Sequence, residues 1–393
     1  MAASPDIPHE DWRSGGFGIY LHWPFCQAKC PYCDFNSHVV AQVDHARWQS
    51  AFLSEIDRHA DLVPGRVVNS IFFGGGTPSL MPPALVGAII DRIRARWPMA
   101  NDVEITLEAN PTSSETQKFR DFAHAGVNRL SLGVQAMNDR DLQRLGRLHD
   151  LDQALAAFDM ARETMGRVSF DLIYARQDQS LDDWRAELER ALALAVDHIS
   201  LYQLTIEDGT AFGDRFRRGG LKGLPSDDLS AELYALTQEI AGAAGYSAYE
   251  VSNLARRGAE SLHNQVYWRY GDYVGIGPGA HGRLTLGGHR HATEAPRMPG
   301  AWLEAVAKGR GDAGPDRLDR SEEAEEFLLM GLRLSEGIDL NRFERLAGHP
   351  LPPARITGLE EIGMLKRQDN RIIATTEGRM VLNSVLAELM RDA

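Results

Sequence analysis

The sequence predicts an α/β fold: six strand–helix units forming a parallel sheet or a partial or full barrel, followed by a smaller α+β unit with a winged-helix-like end. Three observations carry this. Apolar, β-branched-rich runs recur, each followed by a longer segment in which apolar residues fall at three- and four-residue intervals. Polar residues gather at the C-terminal ends of these runs. Beyond residue 256 the composition changes.

The runs are GIYLHW (18–23), VVNSIFFGGG (67–76), VEITLEAN (103–110), VNRLSLGVQ (127–135), VSFDLIYA (168–175) and HISLYQLTI (198–206). Segments such as HARWQSAFLSEIDRHA and DLDQALAAFDMARETM between them have the helical period. Strand, helix and parallel strand in repetition call for right-handed crossovers. In such folds the loops after the strands surround the working face. Here those ends carry Gly74, Gly75, Gly76 and Thr77, then Glu108 and Asn110, Gln135, Tyr202 and Gln203, with Asp171 within its strand.

A glycine-rich, aromatic stretch, HNQVYWRYGDYVGIGPGAHGRL (263–284), marks a boundary. The expected organisation is an N-terminal segment 1–17, a core 18–255 and a C-terminal domain 256–393. Segment 293–320, with its prolines and glycines, reads as a loose linker. Residues 321–393 read as helices, a hairpin around QDN and a closing helix, a winged-helix-like pattern.

The chain has 55 acidic and 42 basic residues, a net charge of −13, which disfavours nucleic acid as a partner. The winged-helix-like end holds 13 acidic and 9 basic side chains, so its expected role is structural. The opening MAASPDIPHEDW lacks a basic start and an apolar run, and no later segment has the apolar length of a membrane span. A cytoplasmic location is expected.

All three cysteines, Cys26, Cys30 and Cys33, lie in FCQAKCPYCDF, directly after the first strand run. An odd count argues against a disulfide framework and for metal or redox chemistry. Thiolates suit zinc or iron–sulfur clusters. A zinc site needs a fourth ligand, for which His22 or His38 is available. A [4Fe–4S] cube held at three irons keeps its fourth iron open to an outside ligand. Phe25, Tyr32 and Phe35 are placed to shield such a cluster.

The C-x3-C-x2-C spacing, with an aromatic before the last cysteine, resembles the radical S-adenosylmethionine (SAM) superfamily. The resemblance implies a partial (β/α)6 radical SAM barrel, a [4Fe–4S] cluster on Cys26, Cys30 and Cys33, and SAM on its open iron. It further implies SAM contacts at Tyr20, Phe35, Gly75, Gly76, Thr77, Glu108, Gln135, Arg147 and Asp171. An electron donor such as flavodoxin or ferredoxin is implied as well.

IYLHWPFC, GGGTPSL, GVQ, DLIY, YQLTIE and GPGAH narrow the resemblance to oxygen-independent coproporphyrinogen dehydrogenase and its relatives, with a HemN-like C-terminal domain. Two features separate the branches. The dehydrogenase carries a further cysteine where this chain has Phe35, and HNQVYW (263–268) matches the H-N-x-x-Y-W motif of the HemW heme chaperones. The match implies heme bound at His263, Asn264, Tyr267 and Trp268, with His22 and His281 as candidate second ligands. It also implies delivery of heme to an acceptor protein, which could be membrane-associated. One departure stands out: after DLIY the family's glycine–proline turn is replaced by ARQDQS. The competing readings are oxidative decarboxylation of coproporphyrinogen III and a zinc-stabilised binding protein.

Overall fold

The computed structural model describes residues 10–391; the first nine residues of the N-terminal segment lie outside them. Strands β1 (Phe17–Trp23), β2 (Val68–Gly75), β3 (Met99–Ala109), β4 (Arg129–Gln135), β5 (Arg167–Tyr174) and β6 (His198–Gln203) pair in parallel and in chain order. Their side chains alternate between faces with period two. In β1, Ile19, Leu21 and Trp23 join the main apolar core. Tyr20 and His22 point to the other face, level with Phe72 and Gly74 of β2.

Helices His45–Leu62, Pro83–Arg96, Leu151–Thr164 and Leu181–Leu194 bury one stripe each against the outer face. The last two begin with capping boxes, Asp150 with Gln153 and Ser180 with Asp183, which satisfy N–H groups left free by the first turn.

The barrel stays open. β6 pairs antiparallel with β8 (Asn253–Ala255), which also takes β7 (Ser247–Ala248). The free edge of β1 takes β9 (Asp272–Ile276) in parallel. Beyond it, β10 (His281–Leu286), β11 (His289–Glu294) and β12 (Asp316–Arg317) run antiparallel, each to its neighbour.

Two expectations change here. The compositional break at 256 does not end the sheet: Val274, Ile276 and Leu284 belong to the main core. Glycines in this stretch serve tight packing; a Cβ on Gly275 would lie 2.0 Å from the carbonyl oxygen of His281. Nor is 293–320 loose. It contains the helix Pro299–Ala307, whose Trp302 is buried against Trp48 at 5.3 Å between ring centroids. Asp312, further along, accepts from Arg58, which also pairs with Glu55 at 2.7 Å. Pro299 opens the helix at its first turn, where its missing N–H costs nothing.

A second core forms from Phe327, Leu328, Phe343, Ile372 and Val385. Around it, helices flank a small sheet of β13 (Ile338–Asp339), β14 (Leu365–Gln368) and β15 (Arg371–Ala374). The β14–β15 hairpin turns at QDN as expected, with Asp369 in the left-handed region at φ 52°.

Candidate functional site

The cysteine loop is pinned to the glycine turn after β2. Gly76 N–H donates to Trp23 O at 2.7 Å and Thr77 N–H to Phe25 O at 2.9 Å. These glycines are required by protein packing. Gly75 has φ 108°, and a Cβ there would lie 2.6 Å from the His22 ring; one on Gly76 would lie 2.8 Å from Phe25 O.

A cavity of about 330 Å³ opens at the C-terminal ends of the strands. Cys26, Cys30, Cys33, Phe35, Gly75, Gly76, Thr77, Glu108, Gln135, Arg147 and Asp171 all line it. Tyr20 does not: it sits one layer deeper, its ring 6.3 Å from Phe72 and its hydroxyl 2.9 Å from His22 Nδ1. The expected aromatic shield is also redistributed. Phe25 packs away from the cavity against Trp23 and Trp48, Tyr32 lines the wall, and Phe35 stands 58% exposed at the mouth.

Two donors address the sulfurs: Thr77 Oγ1 lies 3.3 Å from Cys26 Sγ, and Arg147 Nη1 lies 3.4 Å from Cys30 Sγ. Arg147 also donates to Asn110 Oδ1 at 2.5 Å and Gly133 O at 2.8 Å, so one guanidinium ties the loop to β4 and the end of β3. Burial pushes the Cys26 and Cys33 thiols up. A single tetrahedral zinc on these three thiolates would need a fourth ligand. His22, offered as a fourth ligand or a heme ligand, has both ring nitrogens engaged, Nδ1 by Tyr20 and Nε2 by Asn36 O at 2.9 Å. Three thiols on one loop fit a cluster held at three of its irons.

Facing the loop are two carboxylates. Burial, helped by the Asp171 charge, raises Glu108 to about 8. Asp171 is raised by burial too, against hydrogen bonds from Ser200 and Ser131. Gln135 holds φ 76° where the β4–β5 register slips, a strained backbone in the cavity wall. Ser131 and His149 also line the cavity and were not signalled by the sequence, since each reads as ordinary strand or loop polarity.

The turn after β5 uses other means than glycine and proline. Ala175 and Asp178 adopt φ 58° and 57°. Buried Arg176 is anchored by Glu187 and by Asp141 at 3.0 Å.

His263, Asn264, Tyr267 and Trp268 share the short helix Leu262–Trp268, capped by Ser261. None of the four lines the cavity. His263 is buried, its ring 4.0 Å from Phe72, 4.3 Å from Tyr267 and 6.1 Å from Tyr20. Its Nδ1 has no hydrogen-bond partner among the described residues, and burial holds the ring neutral. Glu104 accepts from His263 N–H at 3.3 Å and Ser261 Oγ at 3.2 Å while pairing with Arg167 at 2.9 Å. Asn264 donates to Tyr249 at 3.0 Å, and Arg333 lies over the Trp268 ring. Tyr267 packs on Tyr273 at 4.3 Å. Tyr267 and Trp268 therefore do not present one joint flat face, because a short helix points successive side chains in different directions. His281 opens β10 as an exposed residue outside the cavity lining.

Residues 20–191 match the Radical SAM superfamily and residues 318–381 the HemN C-terminal domain. The chain is 37% identical to the Escherichia coli protein "Heme chaperone HemW", over 94% of this chain and 96% of that one. It is 38% identical to "Radical S-adenosyl methionine domain-containing protein 1, mitochondrial" of Bos taurus, over 95% of this chain and 87% of the relative. The solved structure of coproporphyrinogen III oxidase (HemN) from Escherichia coli superposes with a TM-score of 0.79 at 21% identity, covering 99% of this chain and 96% of that one, and so shares the fold. No helix among the described residues is long and apolar enough to cross a membrane. With three thiols, a glycine turn and facing carboxylates around one chamber, and full-length likeness to these relatives, the chain belongs to the HemW family of the radical SAM superfamily.

Proposed function

We propose that the chain binds heme, together with a [4Fe–4S] cluster and SAM, and delivers heme to an acceptor protein. Cys26, Cys30 and Cys33 would hold the cluster. Gly75, Gly76, Thr77, Glu108, Gln135, Arg147 and Asp171 would line the seat of SAM, with Phe35 at its mouth and Tyr20 beneath. When bound, the cluster would supply one electron to the SAM sulfonium. Arg147 would offset the negative charge of a cluster bound beside Cys30, and it ties the loop to β4. Three unpaired thiols suit a reducing compartment such as the cytoplasm.

One observation carries the heme assignment: the motif helix seats a neutral His263, with an unpartnered Nδ1, against Phe72 and Tyr20, one layer below the chamber. A neutral imidazole among aromatic rings is the form that ligates heme iron. Because His263 is buried, ligation requires its ring to leave the stack on Phe72 or the porphyrin to enter the half-barrel.

The test is heme titration of anaerobically reconstituted protein, wild type and His263→Ala, with and without SAM. The variant is expected to lose most of its heme affinity while keeping its cluster spectrum. Equal affinity would assign heme elsewhere. A second reading, decarboxylation of coproporphyrinogen III, draws on the fold shared with HemN. It would displace the first if the loaded protein released carbon dioxide from that substrate.

A further inference from the structure

A cluster on Cys26, Cys30 and Cys33 would draw its electrons from outside the chain, and one exposed surface adjoins the cysteine loop. The helix Ala211–Arg217 is fastened to that loop: Phe212 N–H donates to Pro31 O at 2.8 Å, and its ring lies 6.5 Å from Tyr32. Arg215 and Phe216 follow three and four residues on, on the same side of the helix. Phe216 is 54% exposed. Arg215, Arg218 and Lys222 are exposed, with no ion-pair partner among the described residues. Arg217 is the exception, taken up by Asp208 and Asp214. Lys29, on the loop itself, adds another exposed cation. In a chain of net charge −13, Arg215 and Arg218 bracket an exposed ring without carboxylate partners of their own.

We propose that this face docks a small, acidic one-electron carrier protein. The proposal rests on the reading that Cys26, Cys30 and Cys33 hold a cluster. Opposite charges steer the encounter, and Phe216 gives the contact an apolar anchor. With a flavin donor, one electron passes per encounter: the hydroquinone is oxidised to the semiquinone as the cluster is reduced from 2+ to 1+. No bond in the chain is made or broken.

The experiment compares reconstituted wild type with the Arg215→Glu, Arg218→Glu double variant, each mixed anaerobically with photoreduced flavodoxin and, separately, with dithionite. Bleaching of the cluster band by flavodoxin is expected to slow about tenfold or more in the variant. In wild type it should slow as salt rises from roughly 50 to 500 mM. Dithionite, which needs no docking face, should act equally on both. Isothermal titration of oxidised flavodoxin into the cluster-free proteins should show the same weakening. Unchanged flavodoxin rate and affinity would overturn the proposal. So would variant-sensitive binding to anionic lipid vesicles without flavodoxin binding, which would make the face a membrane contact. If no cluster assembles in wild type, the cluster reading fails, and the titration still decides whether the carrier docks here.

Discussion

The Tyr20 hydroxyl donates its proton to His22 Nδ1. The direction is fixed because His22 Nε2 faces the carbonyl of Asn36, which can only accept, so the ring's one proton sits on Nε2. Asn36 in turn donates to Pro278 O and Arg297 O. A hydrogen-bonded strut thus runs from beneath the chamber to the loop segment that follows Cys33. Tyr20→Phe leaves His22 Nδ1 without a donor, at a cost of about 1–3 kcal/mol. Denaturant unfolding of the cluster-free protein should show that loss, and the cluster's magnetic resonance signal should broaden as the loop loses its single position.

Glu108 gives the cofactor-free protein a pH signature. Its folded pKa, about 8, is raised above the ordinary glutamate value of 4.5. The folded state therefore holds the proton more tightly, and this contribution to stability is complete below pH 4.5 and lost as pH rises towards 8. Melting temperature should fall across that window, and Glu108→Gln, neutral throughout, should flatten much of the slope. A wild-type melting temperature that rises from pH 5 to 8 would contradict the assignment. Asp171, raised in the same direction, accounts for part of any remaining slope.

Glu104 positions the helix that carries His263. It is buried, pairs with Arg167, and accepts from Ser261 and His263. Glu104→Ala removes the carboxylate 3.9 Å from the buried Arg129 guanidinium and should destabilise the fold by about 3–5 kcal/mol. Glu104→Gln keeps an acceptor and should be milder. In this milder variant heme affinity should drop while the iron content of reconstituted protein stays at the wild-type level, separating support of His263 from global damage.

Trp302 tests whether 293–320 is part of the folded core. Trp302→Ala should cost about 3–5 kcal/mol, read as a shift in the urea midpoint. A true linker would tolerate the change within about 0.5 kcal/mol.

The six strands and the cysteine loop were legible because their signals are local: periods of two and 3.6 residues, and thiols within eight positions. Eleven of the twelve residues assigned to the cluster and SAM line one cavity: ten stand at or beyond a strand end, and Asp171, within β5, faces the same chamber. Tyr20 is the exception because its ring lies one layer below, against Phe72. The sheet beyond residue 256 was missed because its strands are short and interrupted by glycine. Trp302 was missed because prolines and glycines around it read as loosening, whereas the proline starts a helix.

By itself, then, the sequence determined the repeated crossover architecture, the three-thiol loop and the order of groups around its mouth, all set by spacing along the chain. Tertiary structure alone decided that β9 takes the free edge of β1, that His22 is spent on Tyr20 and Asn36, and that His263 lies beneath the chamber against Phe72. These outcomes turn on which distant segments compete for the same buried space and the same hydrogen-bond partners, a competition settled only when the chain is packed.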